Sequence, residues 1–233
     1  MTNSEEIQIS PGKIARLAGI FYLLTFVSIP TLALYGSIHD LNYVTNPGPD
    51  WDVFIGGILE IIVALAGIAT AVVLYSILKK QNEMAALGLI ASRVLEASTM
   101  FAGVAFLLTA VTLRQSLSAA EATVVSQTLV TLYDKMFLVG QSFIPAVNDI
   151  LLGFLLYKSR LVPRILSVIG IIGSPCLIAG FVAVTFGLIG RLDPLAALSA
   201  VPVALFEFSL GIWLVVKGFN PSAPLMLSSG TKH

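Results

Sequence analysis

VFIGGILEIIVALAGIATAVVLYSIL, residues Val53 to Leu78, carries a single charged side chain, Glu60. A helix needs about 20 predominantly apolar residues to cross the hydrocarbon core of a bilayer, and this stretch exceeds that. It lacks the polar/apolar alternation of a strand. Backbone groups in lipid must bond within their own segment, so the stretch reads as a transmembrane helix.

Five more stretches read the same way. The six spans fall at about 17–38, 53–78, 86–112, 136–157, 165–190 and 195–216. The whole chain agrees: 233 residues, 57% hydrophobic, only 11% charged, with a mean hydropathy of +0.93. A soluble domain is about one quarter charged. The expected fold is therefore all-α, a polytopic membrane protein built as a six-transmembrane-helix bundle. Residues 14–219 form its single domain, between tails at 1–13 and 220–233. The first span has a basic flank, but its uncharged core outruns the 7–15 residues of a signal peptide, so a retained helix is expected.

Basic residues in the short loops set the orientation. Lys13, Arg16, Lys79, Lys80, Lys158, Arg160, Arg164, Lys217 and Lys232 fall on one side; Arg114, Lys135 and Arg191 fall on the other. This asymmetry predicts cytoplasmic N- and C-termini and a multi-pass protein of the plasma (cytoplasmic) membrane. Between spans, Asn46-Pro47-Gly48-Pro49-Asp50 reads as a turn beside an interfacial Trp51. Ser118-Ala119-Ala120-Glu121 matches a capping box opening a helix toward the fourth span.

Charges inside the spans are the functional signal. Glu60, Arg93, Glu96, Asp149 and Glu207 fall in apolar helices, where a charge is costly and faces protein or a water-filled cavity. Gln141 and Asn148 share a face of the fourth span with Asp149. Gly56, Glu60, Ala64, Gly67 and Ala71 form a small-residue stripe on the second span. Gly88, Ser92, Glu96, Thr99 and Gly103 form one on the third. The charged second, third, fourth and sixth spans are thus expected to form the inner bundle. Arg93 and Glu96, at i and i+3, are the natural ion pair. Glu60 lies toward the outer surface, within reach of water. Four acids against one arginine leave an excess of negative charge, which a proton or a bound cation balances; Asp149 and Glu207, without obvious partners, are the candidates to hold it. Pro145, Pro175 and Pro202 free the carbonyls of Gln141, Ile171 and Leu198. Asp149-x-x-Leu152-Gly153-x-x-Leu156 echoes Glu207-x-x-Leu210-Gly211-x-x-Leu214, with a weaker copy at Glu60.

Several chemistries are excluded or disfavoured. The only histidines are His39, in a loop, and His233, and the only cysteine is Cys176. No disulfide, metal site, Ser-His dyad or other cofactor site is expected. The zero net charge offers no footing for nucleic acid.

The order and spacing of four stretches carry a resemblance. They are Ala15-Arg16-Leu17-Ala18-Gly19-Ile20-Phe21-Tyr22; Ser92-Arg93-Val94-Leu95-Glu96-Ala97; Leu151-Leu152-Gly153-Phe154 through Leu161-Val162-Pro163-Arg164; and Glu207-Phe208-Ser209-Leu210-Gly211-Ile212-Trp213. Together they resemble an uncharacterised prokaryotic multi-pass membrane family, domain-of-unknown-function family number 4386. The resemblance implies six transmembrane helices and no established activity. Arg16, Arg93, Glu96 and Glu207 match its pattern. The family often has a histidine in the fourth span where this chain has Asn148, a departure that counts against a proton-shuttling role built on that histidine.

Three readings stay open. The first is a polar, acid-rich intramembrane pocket for a small molecule, cation or proton, whose most concrete version is a homodimeric transporter. The second is a structural or regulatory partner of another membrane protein, with the charges holding helices together. The third is an intramembrane aspartyl dyad built on Asp149 with Glu207 or Glu96.

Overall fold

The computed structural model describes residues 10–40, 42–45, 50–116 and 118–227; the expected turn at 46–49 and both ends of the chain lie outside them. The described residues form helices joined by turns, with no strand: α1 (Pro11–Leu24), α2 (Thr31–Leu34), α3 (Trp51–Leu78), α4 (Glu83–Arg114), α5 (Ala119–Leu138), α6 (Ile144–Ser159), α7 (Arg164–Thr185), α8 (Pro194–Val216) and α9 (Pro224–Leu227). Six helical segments are long and apolar enough to cross a membrane.

Local chemistry sets the ends. Pro11 and Pro194 occupy the first turns of α1 and α8, where a missing N–H costs nothing. Asn82 caps α4 by accepting from the Ala85 amide at 3.0 Å, and Asp193 caps α8 by accepting from Leu195 at 2.8 Å. Ser118 stands at the start of α5, but its hydroxyl donates to the Glu121 carboxylate at 2.5 Å and leaves the backbone uncapped. At the other end of α6, Arg160 takes a left-handed conformation, φ 55°, and turns the chain into α7.

Two prolines shape the walls. Pro30 cannot donate to Phe26, and the chain before it tightens into a 3₁₀ turn over Thr25–Ser28. Pro145 cannot donate to Gln141, and the preceding Val139–Phe143 segment widens into a π turn in which the Ile144 amide reaches Val139. The π turn joins α5 to α6 without a break. The fourth span therefore extends from 120 to 159, about 60 Å of helix against a hydrocarbon core of about 30 Å. Its excess length packs against the far end of α4 and the residues after α2, making a small cap of Tyr35, Ile38, Tyr43, Val53, Leu107, Val130 and Tyr133.

The principal contacts run α1–α3, α3–α4, α4–α6, α6–α7, α7–α8 and α8–α1. The spans thus form a closed ring in chain order; the second, third and fourth are the most buried, as expected of an inner set, but the charged sixth span is no more buried than the uncharged fifth. Closure depends on glycine. A Cβ on Gly19 would sit 2.7 Å from the Gly211 carbonyl oxygen, so no other residue lets α1 and α8 approach as they do. The Asp149 and Glu207 echoes have a packing reason. Leu152, Leu156, Leu210 and Leu214 are fully buried, while Gly153 meets α7 and Gly211 meets α1.

The largest apolar cluster, including Tyr22, Leu74, Leu78, Leu89, Leu152, Phe206 and Leu210, fills the end of the ring that carries Lys79 and Lys158. The start of the C-terminal tail is docked there: the Asn220 amide donates to the Leu161 carbonyl at 2.8 Å, and Ala223 is fully buried. Outward faces present Ile20, Ile58, Leu65, Val72, Leu95 and Leu198, the apolar surface a bilayer covers.

Candidate functional site

The buried line of α4 is Ala86, Leu89, Arg93, Ala97, Met100 and Val104. It lies one position round from the expected small-residue stripe, so Arg93 points inward and Glu96 stands beside it. Arg93 Nη1 donates to Glu96 Oε2 at 2.9 Å, and Nη2 donates to Glu207 Oε1 on α8 at 2.7 Å. Nη2 also donates to the Tyr22 hydroxyl on α1 at 3.2 Å, and the Tyr22 ring lies 5.6 Å from the guanidinium carbon. Asn148 on α6 donates to Glu96 Oε2 at 2.7 Å. One guanidinium thus ties α1, α4 and α8 together, and Glu96 adds α6. The planar fork of arginine suits this work, since it holds two carboxylates at fixed angles.

The expected Arg93–Glu96 pair is present. Glu207, expected to lack a partner, has one. Asp149 is different: it is fully buried beside the cluster, and neither carboxyl oxygen has a hydrogen-bond partner. It is not bonded to Glu96 or Glu207, as a shared-proton dyad requires. The Asn148 side-chain oxygen is likewise buried and unpartnered.

Glu60 stands apart from the cluster and, contrary to expectation, is closed off from water at 1% exposure. Its Oε1 accepts from the Tyr133 hydroxyl at 2.7 Å, the Gln141 side chain stands within bonding reach of the carboxylate, and Oε2 has no partner of its own. Tyr133 and Tyr22 are the members that reasoning on charge overlooks. Tyr22 continues the Ala15, Ala18, Gly19 spacing of an inward α1 face, a signal readable in the sequence.

Arg93, Glu96, Glu207 and Gln141 contribute the charged and amide groups to the wall of a cavity of about 280 Å³ that opens beside the Thr25–Ser28 turn. Val63, Met100, Leu177 and Val203 supply apolar wall. The Arg93 side chain is 5% exposed and the two glutamates 13% and 15%, so the carboxylates are the accessible groups. The volume suits several waters or a small solute. Among the described residues, no three His, Cys, Asp or Glu side chains converge as metal ligands.

Charges at the far end of the bundle, beyond the hydrocarbon depth, are arranged otherwise. Asp50 accepts from Arg114 Nη2 at 2.7 Å and from the Tyr43 hydroxyl at 2.7 Å. Burial, together with that bond, pushes the Tyr43 hydroxyl up from its ordinary value. Asp134 pairs with Arg191 and with His39; burial lowers Arg191 from its ordinary value.

Six apolar helices closed round a buried Glu–Arg–Glu cluster define an integral, multi-pass membrane protein. The chain belongs to the family described as Domain of unknown function (DUF4386), whose model matches residues 17–218. No curated protein and no solved structure matches it.

Proposed function

We propose that this protein holds a small polar ligand, a cation or a proton in the acid-rich cavity between its helices, in a cytoplasmic membrane with both termini on the cytoplasmic side. The observation that carries the reading is that the Arg93–Glu96–Glu207 cluster lines an open cavity. Two carboxylates against one guanidinium give that wall a net negative charge, which favours a cationic or hydrogen-donating solute over an anion. The orientation is supported by pairing as well as by number. Arg114 and Arg191, on the proposed outer side, are bound to Asp50 and Asp134, whereas Lys79, Lys158, Arg160, Arg164 and Lys217 have no acidic partner among the described residues.

Water access tests the reading. In a Cys176→Ser background, cysteines replace Met100 and Ala204 in the cavity wall and Leu152 in the apolar seal. A membrane-impermeant thiol reagent is expected to label the first two from the outer side and to spare the third. Protection of all three in folded protein would sink the pocket.

A second reading has its own observation. Every polar hydrogen of the Arg93 terminus that reaches a partner binds a different helix or its own neighbour, which is how a clamp is built. On that reading the protein is a structural or regulatory partner of another membrane protein, and crosslinking in native membranes is expected to capture that neighbour in place of any ligand.

A further inference from the structure

At the basic end of the ring, a second pocket of about 510 Å³ lies between the α6–α7 turn and the segment that follows α8. Arg160, Arg164 and Lys217 line it, with Trp213 and Asn220. It is built on two left-handed residues, Arg160 at φ 55° and Gly218 at φ 72°, which fold both chain segments toward each other. The segments are then locked together. The Asn220 amide donates to the Leu161 carbonyl at 2.8 Å, and its side-chain amide donates to the Arg160 carbonyl at 3.4 Å.

Three features of the pocket lack a partner. None of the three cationic side chains meets an acid among the described residues; Arg164 only stacks on the Tyr157 ring, 4.9 Å from its centroid. The Trp213 indole N–H is buried with no acceptor, although a buried indole N–H ordinarily finds one. Helix α7 starts at Arg164 after Pro163, with no side-chain cap on its first N–H groups. The cations and the uncapped helix N-terminus meet at one pocket with no acidic acceptor among them, and the unspent indole N–H is buried in its wall. A tetrahedral anion supplies what is missing.

We propose that this pocket binds a phosphate group, either the phosphomonoester headgroup of an anionic lipid or a soluble phosphate of the same chemistry. Its place at the end of two membrane-spanning helices puts it at headgroup depth, where basic pockets meet anionic lipid. It is separate from the acid-rich cavity, whose charge has the opposite sign.

The chain has two tryptophans, and Trp51 is exposed, so a Trp51→Phe variant leaves Trp213 as the reporter. The full chain is placed in phosphatidylcholine nanodiscs. In one arm inorganic phosphate is added, and in the other phosphatidic acid is built into the disc. A saturable change in Trp213 emission is expected, weakened about tenfold or more by Arg160→Gln with Lys217→Gln. A response to phosphatidic acid alone identifies a lipid headgroup, and a response to inorganic phosphate alone identifies a soluble ligand. Should the double variant not fold, Arg164→Gln, at an exposed side chain, takes its place with the same expectation. No saturable change in either arm, or a change that the substitutions leave intact, overturns the proposal.

Discussion

Arg93 and Glu207 are 114 positions apart in sequence and 2.7 Å apart in space, and their contact fixes α8 against α4 across the interior of the ring. Removing one member of a buried ionic set strands the others without compensation, whereas removing all its charges together does not.

Arg93→Gln is therefore expected to destabilise the protein by about 3–5 kcal/mol. Adding Glu96→Gln and Glu207→Gln to that variant should recover most of the loss. Thermal unfolding in one detergent, followed for all three proteins, measures both effects. Recovery separates a charge imbalance from a simple loss of packing.

Asp149→Asn should behave in the opposite way. The carboxyl has no hydrogen-bond partner and no exposure, so an amide of nearly the same shape breaks no hydrogen bond, opens no void and abolishes the option of a charge there. The melting temperature is expected to hold or rise. A fall comparable to that of Arg93→Gln would mean that Asp149 has a bonded role in the fold.

Tyr133→Phe removes the hydroxyl that Glu60 accepts from and leaves the buried carboxylate with the Gln141 side chain as its remaining donor. The expected cost is about 1–3 kcal/mol. Glu60→Gln in the same protein should restore part of it, so a double-mutant cycle on unfolding free energy is the measurement.

Gly19→Val places a branched side chain against the Gly211 carbonyl and the Val215 backbone. The loss is expected to be about 1–3 kcal/mol or more, because backbone cannot move aside as a side chain can. A cysteine pair introduced into α1 and α8 should crosslink in the parent protein and lose that crosslink in the variant.

Much of the architecture is legible in the chain because membrane helices announce themselves one at a time. Val53–Leu78 is recognised by its own composition, and Arg93–Glu96 by a spacing of three on one helix. What escapes is whatever depends on the ring being closed. Glu207 finds Arg93 only once α8 has docked, and Tyr133 reaches Glu60 only because a π turn carries α5 straight into α6. Glu60 is dry because that same helix roofs it. The register of α4 is a case between: the small residues mark nearly the right face, but Arg93, one position away, faces inward because its three partners do.

The contact between Gly19 and Gly211 also has a meaning for synthesis. Helices that pack only on their successors can settle as they emerge; this chain cannot. Tyr22 enters the membrane first and waits for an arginine on α4, while Gly19 waits for the last span of all. During that interval α1 is held by lipid alone on the face that later becomes interior, and the arginine has Glu96 as its sole acidic partner. The nascent protein thus passes through an open arc of helices with one raw edge at each end. The arrival of α8 joins the two edges and completes the ionic cluster, before the tail docks on the α6–α7 turn, so a chain halted after α7 presents the cell with an unsealed seam.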